Sequence, residues 1–238
     1  KNFNGLEIQT TISPIEQGFG EIRNVRIKNN GEQEAVLEVF FYIEPIITKL
    51  NNDLSHRAYS NMFLQYEKHN DSIVITRRKK YLEERSIALA AKVVQNSEHS
   101  MHIEYEIDRY KFIGRNKNIE NANMIKGSVP FSNTLLPTIE PILCFKVSVK
   151  VPKDTFVDIP YVLCVNDDKD KCIDLIQKFT SYDNVKDELL LAYNKGIIES
   201  KFYKYSNLQI IEYSNLMSYI LNSDKKNEET SDDILNRL

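Results

Sequence analysis

Between Asp108 and Arg115 the chain reads Asp-Arg-Tyr-Lys-Phe-Ile-Gly-Arg. Two arginines and an aspartate around a glycine suit an ordered turn, with Gly114 where positive φ is needed and the charges paired internally. They equally suit a site that grips hydroxyl groups, because guanidinium presents forked donors and carboxylate accepts them. Asp108, Arg109 and Arg115 are therefore candidates for either role. Tyr66 and Glu67, at the end of a strand-like run, could also hydrogen-bond a hydroxyl-bearing ligand, although alternation lets only one of them face a given site. His56 would need an acid partner and a substrate pocket to act as a general base. The sequence shows no paired acid, so a surface or capping histidine is the simpler reading.

From the N-terminus to about residue 165 the hydrophobic period is two. Leu143, Phe145, Val147, Val149 and Val151 alternate with Cys144, Lys146, Ser148 and Lys150, which predicts a one-sided strand. Residues 36–43 are largely apolar on both faces, which predicts a strand covered on both sides or central in its sheet. Further strands are expected at 6–12, 22–28, 62–67, 72–78, 87–94, 103–108 and 156–165, with turn signals such as Asn29-Asn30-Gly31 and Asn70-Asp71 between several of them. Many short strands without alternating helices predict antiparallel sheets packed as a two-sheet sandwich, an all-β-dominated fold. Near residue 167 the period lengthens. Asn166 can cap a helix whose apolar side is Cys172, Leu175, Ile176 and Phe179. Two more helices are expected at about 185–195 and 207–221. The expected organisation is a β-sandwich over 1–165, linker helices over 166–221 and a flexible charged tail over 222–238.

The 238 residues carry a net charge of −3, so no global basic field exists to hold nucleic acid or an anionic membrane. Arg77-Arg78-Lys79-Lys80 is the densest basic run, and Glu83 and Glu84 blunt it. No apolar stretch approaches the ~18–20 residues of a membrane helix. The three cysteines form no C-x-x-C pair, and Cys144 and Cys164 lie in strand-like runs where free cysteine acts as a small hydrophobe. A reducing, cytoplasmic setting is expected, and no metal or other cofactor. The start lacks an apolar leader and a Met, and reads as if cut from something longer.

Five segments taken in order resemble one family: Arg26–Gly31; Leu37 to Pro45; His56-Arg57-Ala58-Tyr59-Ser60-Asn61-Met62-Phe63 with Tyr66-Glu67; Tyr105 to Arg115; and Gly127-Ser128-Val129 leading to Ile139-Glu140-Pro141-Ile142. This order is similar to the β-sandwich domain of the cyclic β-1,2-glucan synthases and their relatives in glycoside hydrolase family 94, which include phosphorylases of β-1,2-oligoglucans, cellobiose and chitobiose. The likeness covers roughly residues 6 to 195. It implies a large supersandwich similar to the galactose mutarotase fold, joined by helices to an (α/α)₆ barrel that carries the catalytic aspartate. No counterpart of that acid lies in this chain, so no catalytic residue is carried over. The stretch Pro130–Pro137 and the Asn- and Lys-rich loop after Arg115 depart from the family pattern.

The resemblance implies a non-catalytic, carbohydrate-associated module of a larger β-glucan-active enzyme. Its implied partners are a β-linked glucan, with β-1,2-linked glucose units favoured, and the helical barrel; exposed linker helices could also drive homodimerisation. A freestanding carbohydrate-binding protein and a mutarotase-like sugar-modifying enzyme are the alternatives. The chain has no Trp but 13 Tyr and 11 Phe, so any sugar-stacking platform would fall to Tyr.

Overall fold

The computed structural model describes residues 2–81 and 84–221. Two antiparallel sheets form its β part. The larger has seven strands in the order β1-β2-β3-β10-β7-β6-β5, comprising β1 (Asn2–Phe3), β2 (Leu6–Pro14), β3 (Gly20–Asn29), β5 (Leu64–His69), β6 (Ser72–Arg77), β7 (Ala88–Val93) and β10 (Phe156–Asn166). The smaller has the order β4-β9-β8, comprising β4 (Ala35–Ile43), β8 (Met101–Asp108) and β9 (Pro141–Val151). The all-β-dominated, two-sheet architecture expected from the period of two is the one observed.

Alternation sets the layers. On β10, Val157, Ile159 and Tyr161 face the smaller sheet, whose Phe41, Phe145 and Val147 meet them; the rings of Phe41 and Tyr161 stack at 4.9 Å. The intervening Val162 and Cys164 face the opposite way, against Cys172, Leu175 and Ile176 of α3 (Lys169–Gln177). On β9 the odd residues fill the inter-sheet core, while Ile142 and Cys144 pack behind the smaller sheet with Phe112, Met124 and Phe131. One period thus supplies three apolar clusters, two of them on the outer faces of the sheets.

Of the two readings of residues 36–43, covered on both sides or central, the first holds: β4 borders β9 alone, at the edge of its sheet. Its apolar second face is explained by Phe40 and Tyr42, whose rings lie 6.4 and 5.3 Å from Phe112. An edge strand can be covered on both faces. The region after β4, for which no element is expected from sequence, holds α1 (Leu50–Asn61), with a break at His56 (φ −147°, ψ 61°). Its residues are mostly exposed, so no apolar stripe announces the helix.

After β10 the cap of α3 is Asp168, which accepts from the N–H groups of Asp170 and Lys171 at 2.9 and 3.2 Å. Asn166 instead accepts from the Asp168 N–H. α4 (Tyr182–Phe202) starts against the larger sheet. There Asp158, 2% exposed, accepts from Asn24 and, through both its oxygens, from Arg26 at 2.9 and 2.8 Å, with the Tyr182 hydroxyl beside them. Burial opposes ionisation of Asp158, but the hydrogen bonds from Arg26, Tyr182 and Asn24 outweigh it and hold the carboxyl below its ordinary range.

The chain divides into two compact units, Lys1–Ala192 and Tyr193–Leu238. In the second, α5 (Asn207–Leu221) exposes Leu208, Ile211, Leu216, Met217 and Ile220. The expected charged tail lies outside the described residues.

Candidate functional site

Antiparallel pairing brings three chain connections to one end of the smaller sheet. β4 ends at Ile43 opposite Leu143, near the start of β9, and β8 ends at Asp108 opposite Pro141. The residues just beyond these ends are Glu44, Glu140 and Arg109.

Local chemistry fixes Arg109 first. The Asp108 carboxylate caps α2 (Arg109–Ile113), accepting from the N–H groups of Tyr110 and Lys111 at 2.9 and 3.2 Å. Gly114 ends the helix at φ 93°, and a Cβ there would stand 2.3 Å from Asn123 Nδ2. Behind the turn, the buried Glu106 carboxylate accepts from the backbone N–H of Ile107, Asp108 and Ser132. The Arg109 N–H donates to the Glu140 carbonyl at 2.9 Å. Its side chain then spans both glutamates, Nε donating to Glu44 Oε1 at 3.1 Å and Nη1 to Glu140 Oε2 at 3.3 Å.

A second arginine closes the group. Just past the break at His56, Arg57 donates through Nη2 to Glu44 Oε2, and its Nε lies 4.0 Å from Asp53 Oδ1. The Tyr42 hydroxyl donates to Glu44 Oε1 at 2.6 Å. Burial opposes charge on Glu44; the Tyr42 hydroxyl and the two guanidinium groups outweigh it and keep the carboxyl below its usual range. Burial and that same carboxylate push the Tyr42 hydroxyl up. Glu44, Arg57, Arg109 and Glu140, together with Asn61 and Ile139, line an open cavity of about 360 Å³.

The residues singled out from sequence do not all converge here. Arg109 lies in the cavity wall, and Asp108 supports it as a helix cap. His56 is exposed, at the break that lets its neighbour Arg57 reach Glu44. Arg115 is exposed, with no ion pair among the described residues. Tyr66 points into the inter-sheet core, where its hydroxyl is buried and burial raises its pKa. Glu67 points the other way and pairs with Lys169 at 2.5 Å. Sequence reasoning missed Glu44, Arg57 and Glu140 as site residues. The available signal was the echo Ile43-Glu44-Pro45-Ile46 and Ile139-Glu140-Pro141-Ile142, which reads as two strand ends and marks the ends that meet.

The arrangement offers fixed donors and acceptors to polar groups entering from solvent. Its carboxylates are ion-paired, which suits recognition rather than proton transfer. Among the described residues no group of His, Cys, Asp and Glu could hold a metal ion, and no helix is long and apolar enough to cross a membrane.

Comparison with known proteins adds two findings. The sequence model of the glycosyl hydrolase 94 supersandwich domain matches residues 1–182. The cyclic beta-(1,2)-glucan synthase NdvB of Rhizobium meliloti (strain 1021) is 25% identical over 206 residues, which are 86% of this chain and 7% of that protein. The chain thus spans less than a tenth of the length of that relative.

Proposed function

The chain belongs to the glycosyl hydrolase 94 supersandwich domain family, and from that membership we propose that it is the non-catalytic carbohydrate-associated module of a larger, cytoplasmic β-glucan-active enzyme of synthase or phosphorylase type. It contacts β-linked glucan, with β-1,2-linked glucose units favoured, and the apolar side chains of α4 and α5 pack against an adjoining helical barrel. One observation carries the reading. Arg109, inside the most informative family-like segment, forms an open polar cavity with Arg57, Glu44 and Glu140. Forked donors beside carboxylates, partly open to water, match the hydroxyl pattern of a saccharide. The relative's name associates β-(1,2)-glucan with that relative and guides the choice of linkage here.

The test is titration of the chain with β-1,2-linked glucooligosaccharides of increasing length, followed by amide shifts, with cellobiose and cellotriose as controls. Saturable, linkage-selective shifts are the expected result. No shift at millimolar sugar leaves the module an architectural role alone.

A further inference from the structure

The cavity beside Arg109 has two guanidinium groups and two carboxylates in its wall, and their formal charges cancel. An entering anion gains Arg57 and Arg109 but meets Glu44 and Glu140; an entering cation meets the reverse. An uncharged hydroxyl both donates and accepts, so it can stand between a guanidinium and a carboxylate without leaving either unpaired.

The weakest link in the ring is visible. Arg109 Nη1 to Glu140 Oε2 is 3.3 Å, against 3.1 Å for Arg109 Nε to Glu44 Oε1, and the Glu140 side chain is 54% exposed against 27% for Glu44. Exposed ion pairs of this kind contribute little to stability, so opening one costs little. Glu44 is held from three sides by Tyr42, Arg57 and Arg109 and stays put. Beside the opening, Ile139 is 72% exposed and offers an apolar surface to the C–H face of a ring.

We propose that this cavity binds an uncharged vicinal diol by insertion between Arg109 and Glu140, one hydroxyl accepting from Nη1 and its neighbour donating to the carboxylate. It discriminates against phosphorylated or carboxylated versions of the same ring. The proposal rests on the glycan-contact reading above and adds to it the point of entry, between Arg109 and Glu140, and the selectivity by charge.

The test uses the full chain and follows the Arg Nε–H resonances, with Arg109 assigned from Arg109→Lys. The probes are a β-1,2-linked glucose disaccharide, glucuronate and glucose 6-phosphate. The disaccharide is expected to shift the Arg109 resonance with little dependence on salt, and the anionic sugars to bind about tenfold more weakly or worse. Glu140→Gln leaves a net positive wall and alters a side chain that is 54% exposed. It should weaken disaccharide binding by about five- to tenfold, the scale of replacing a charged hydrogen-bond partner by a neutral one. The same change should shift preference toward glucuronate by about fivefold or more, fivefold being the scale of one unit charge ~4 Å away across bulk water.

Equal or tighter binding of glucuronate to the unaltered chain overturns the proposal, as does disaccharide affinity indifferent to Glu140→Gln. Disaccharide binding with shifts confined to residues elsewhere overturns this site and leaves the glycan-contact reading standing. Silence with every sugar overturns both.

Discussion

Glu44 and Glu140 stand in identical Ile-Glu-Pro-Ile tetrapeptides and close on opposite sides of the Arg109 guanidinium. One follows the end of β4 and the other precedes β9, strands that pair antiparallel, so the two motifs meet because the ladder folds their ends together. Arg109→Lys should break this bridge, since one ammonium lacks the fork that serves both carboxylates. The partners are 27–54% exposed, so the stability loss is expected to be no more than ~1 kcal/mol. Denaturant midpoints measure it; a loss of several kcal/mol would show that the pairing carries the fold.

The Asp158 latch should matter more. Asp158→Asn removes a buried carboxylate from Arg26 and Asn24, with an expected loss of about 2 kcal/mol, the scale of hydrogen bonds to a charged group. That corresponds to a melting point lower by roughly 4–8 °C for a chain of this size. The folded pKa of Asp158 is depressed, so its contribution is fully present above the unfolded value near ~4 and is lost as pH falls through the folded value. The variant should therefore lose less stability than the parent on acidification below about pH 4. Parallel acid-unfolding curves would refute the assignment.

How much of this could be read in advance varied with how local the cause was. Strands β9 and β10 carry their face in their own alternation, and both sheets followed from such runs. β4 left two readings open because the rings packing on its second face belong to Phe112 and Phe131, far along the chain. α1 left no periodic trace, since it is largely solvent-exposed and breaks at His56. In the candidate site, Arg109 stood out through the charged turn around it. Glu44, Arg57 and Glu140 did not, because their proximity is made by strand pairing and no spacing encodes it.

Gly114 is the turn's steric pivot. At φ 93° and ψ 167° it occupies a region nearly restricted to glycine, and a Cβ would overlap the Asn123 carboxamide. Gly114→Ala is expected to cost roughly 2–3 kcal/mol, the upper part of the strain range for such conformations. Denaturant melts should register this, and a neutral outcome would mean that the turn relaxes freely.

The three cysteines are buried and free. Burial raises the Cys164 thiol to about 12 and the Cys172 thiol to about 11, and drives Cys144 up further. All three are thus protonated at pH 8, where the unfolded chain's thiols, with pKa near ~8.5, are partly ionised. Alkylation of the native chain should be slow and should accelerate with denaturant in step with unfolding. Rapid labelling of any one cysteine in buffer would contradict this packing.

In its own unit, α5 exposes apolar residues around its circumference and carries Glu212 as its sole charged residue. Left uncovered, such a surface favours self-association. The chain should weigh as a dimer by light scattering at tens of micromolar, and Leu208→Glu with Ile211→Glu should return it to monomer. A monomer at every concentration would mean that α5 stays uncovered in solution.

The residues at the cavity come from connections, whereas the inter-sheet core comes mostly from strands, with Ile47 an exception. Evolution can therefore edit the two separately. A longer loop after β4, or a different residue ahead of β9, would give a new recognition surface while every strand kept its register. The same division makes the site a graft point: the 48–61 segment, past the core residue Ile47, could be exchanged for a relative's without repacking Phe41 on Tyr161.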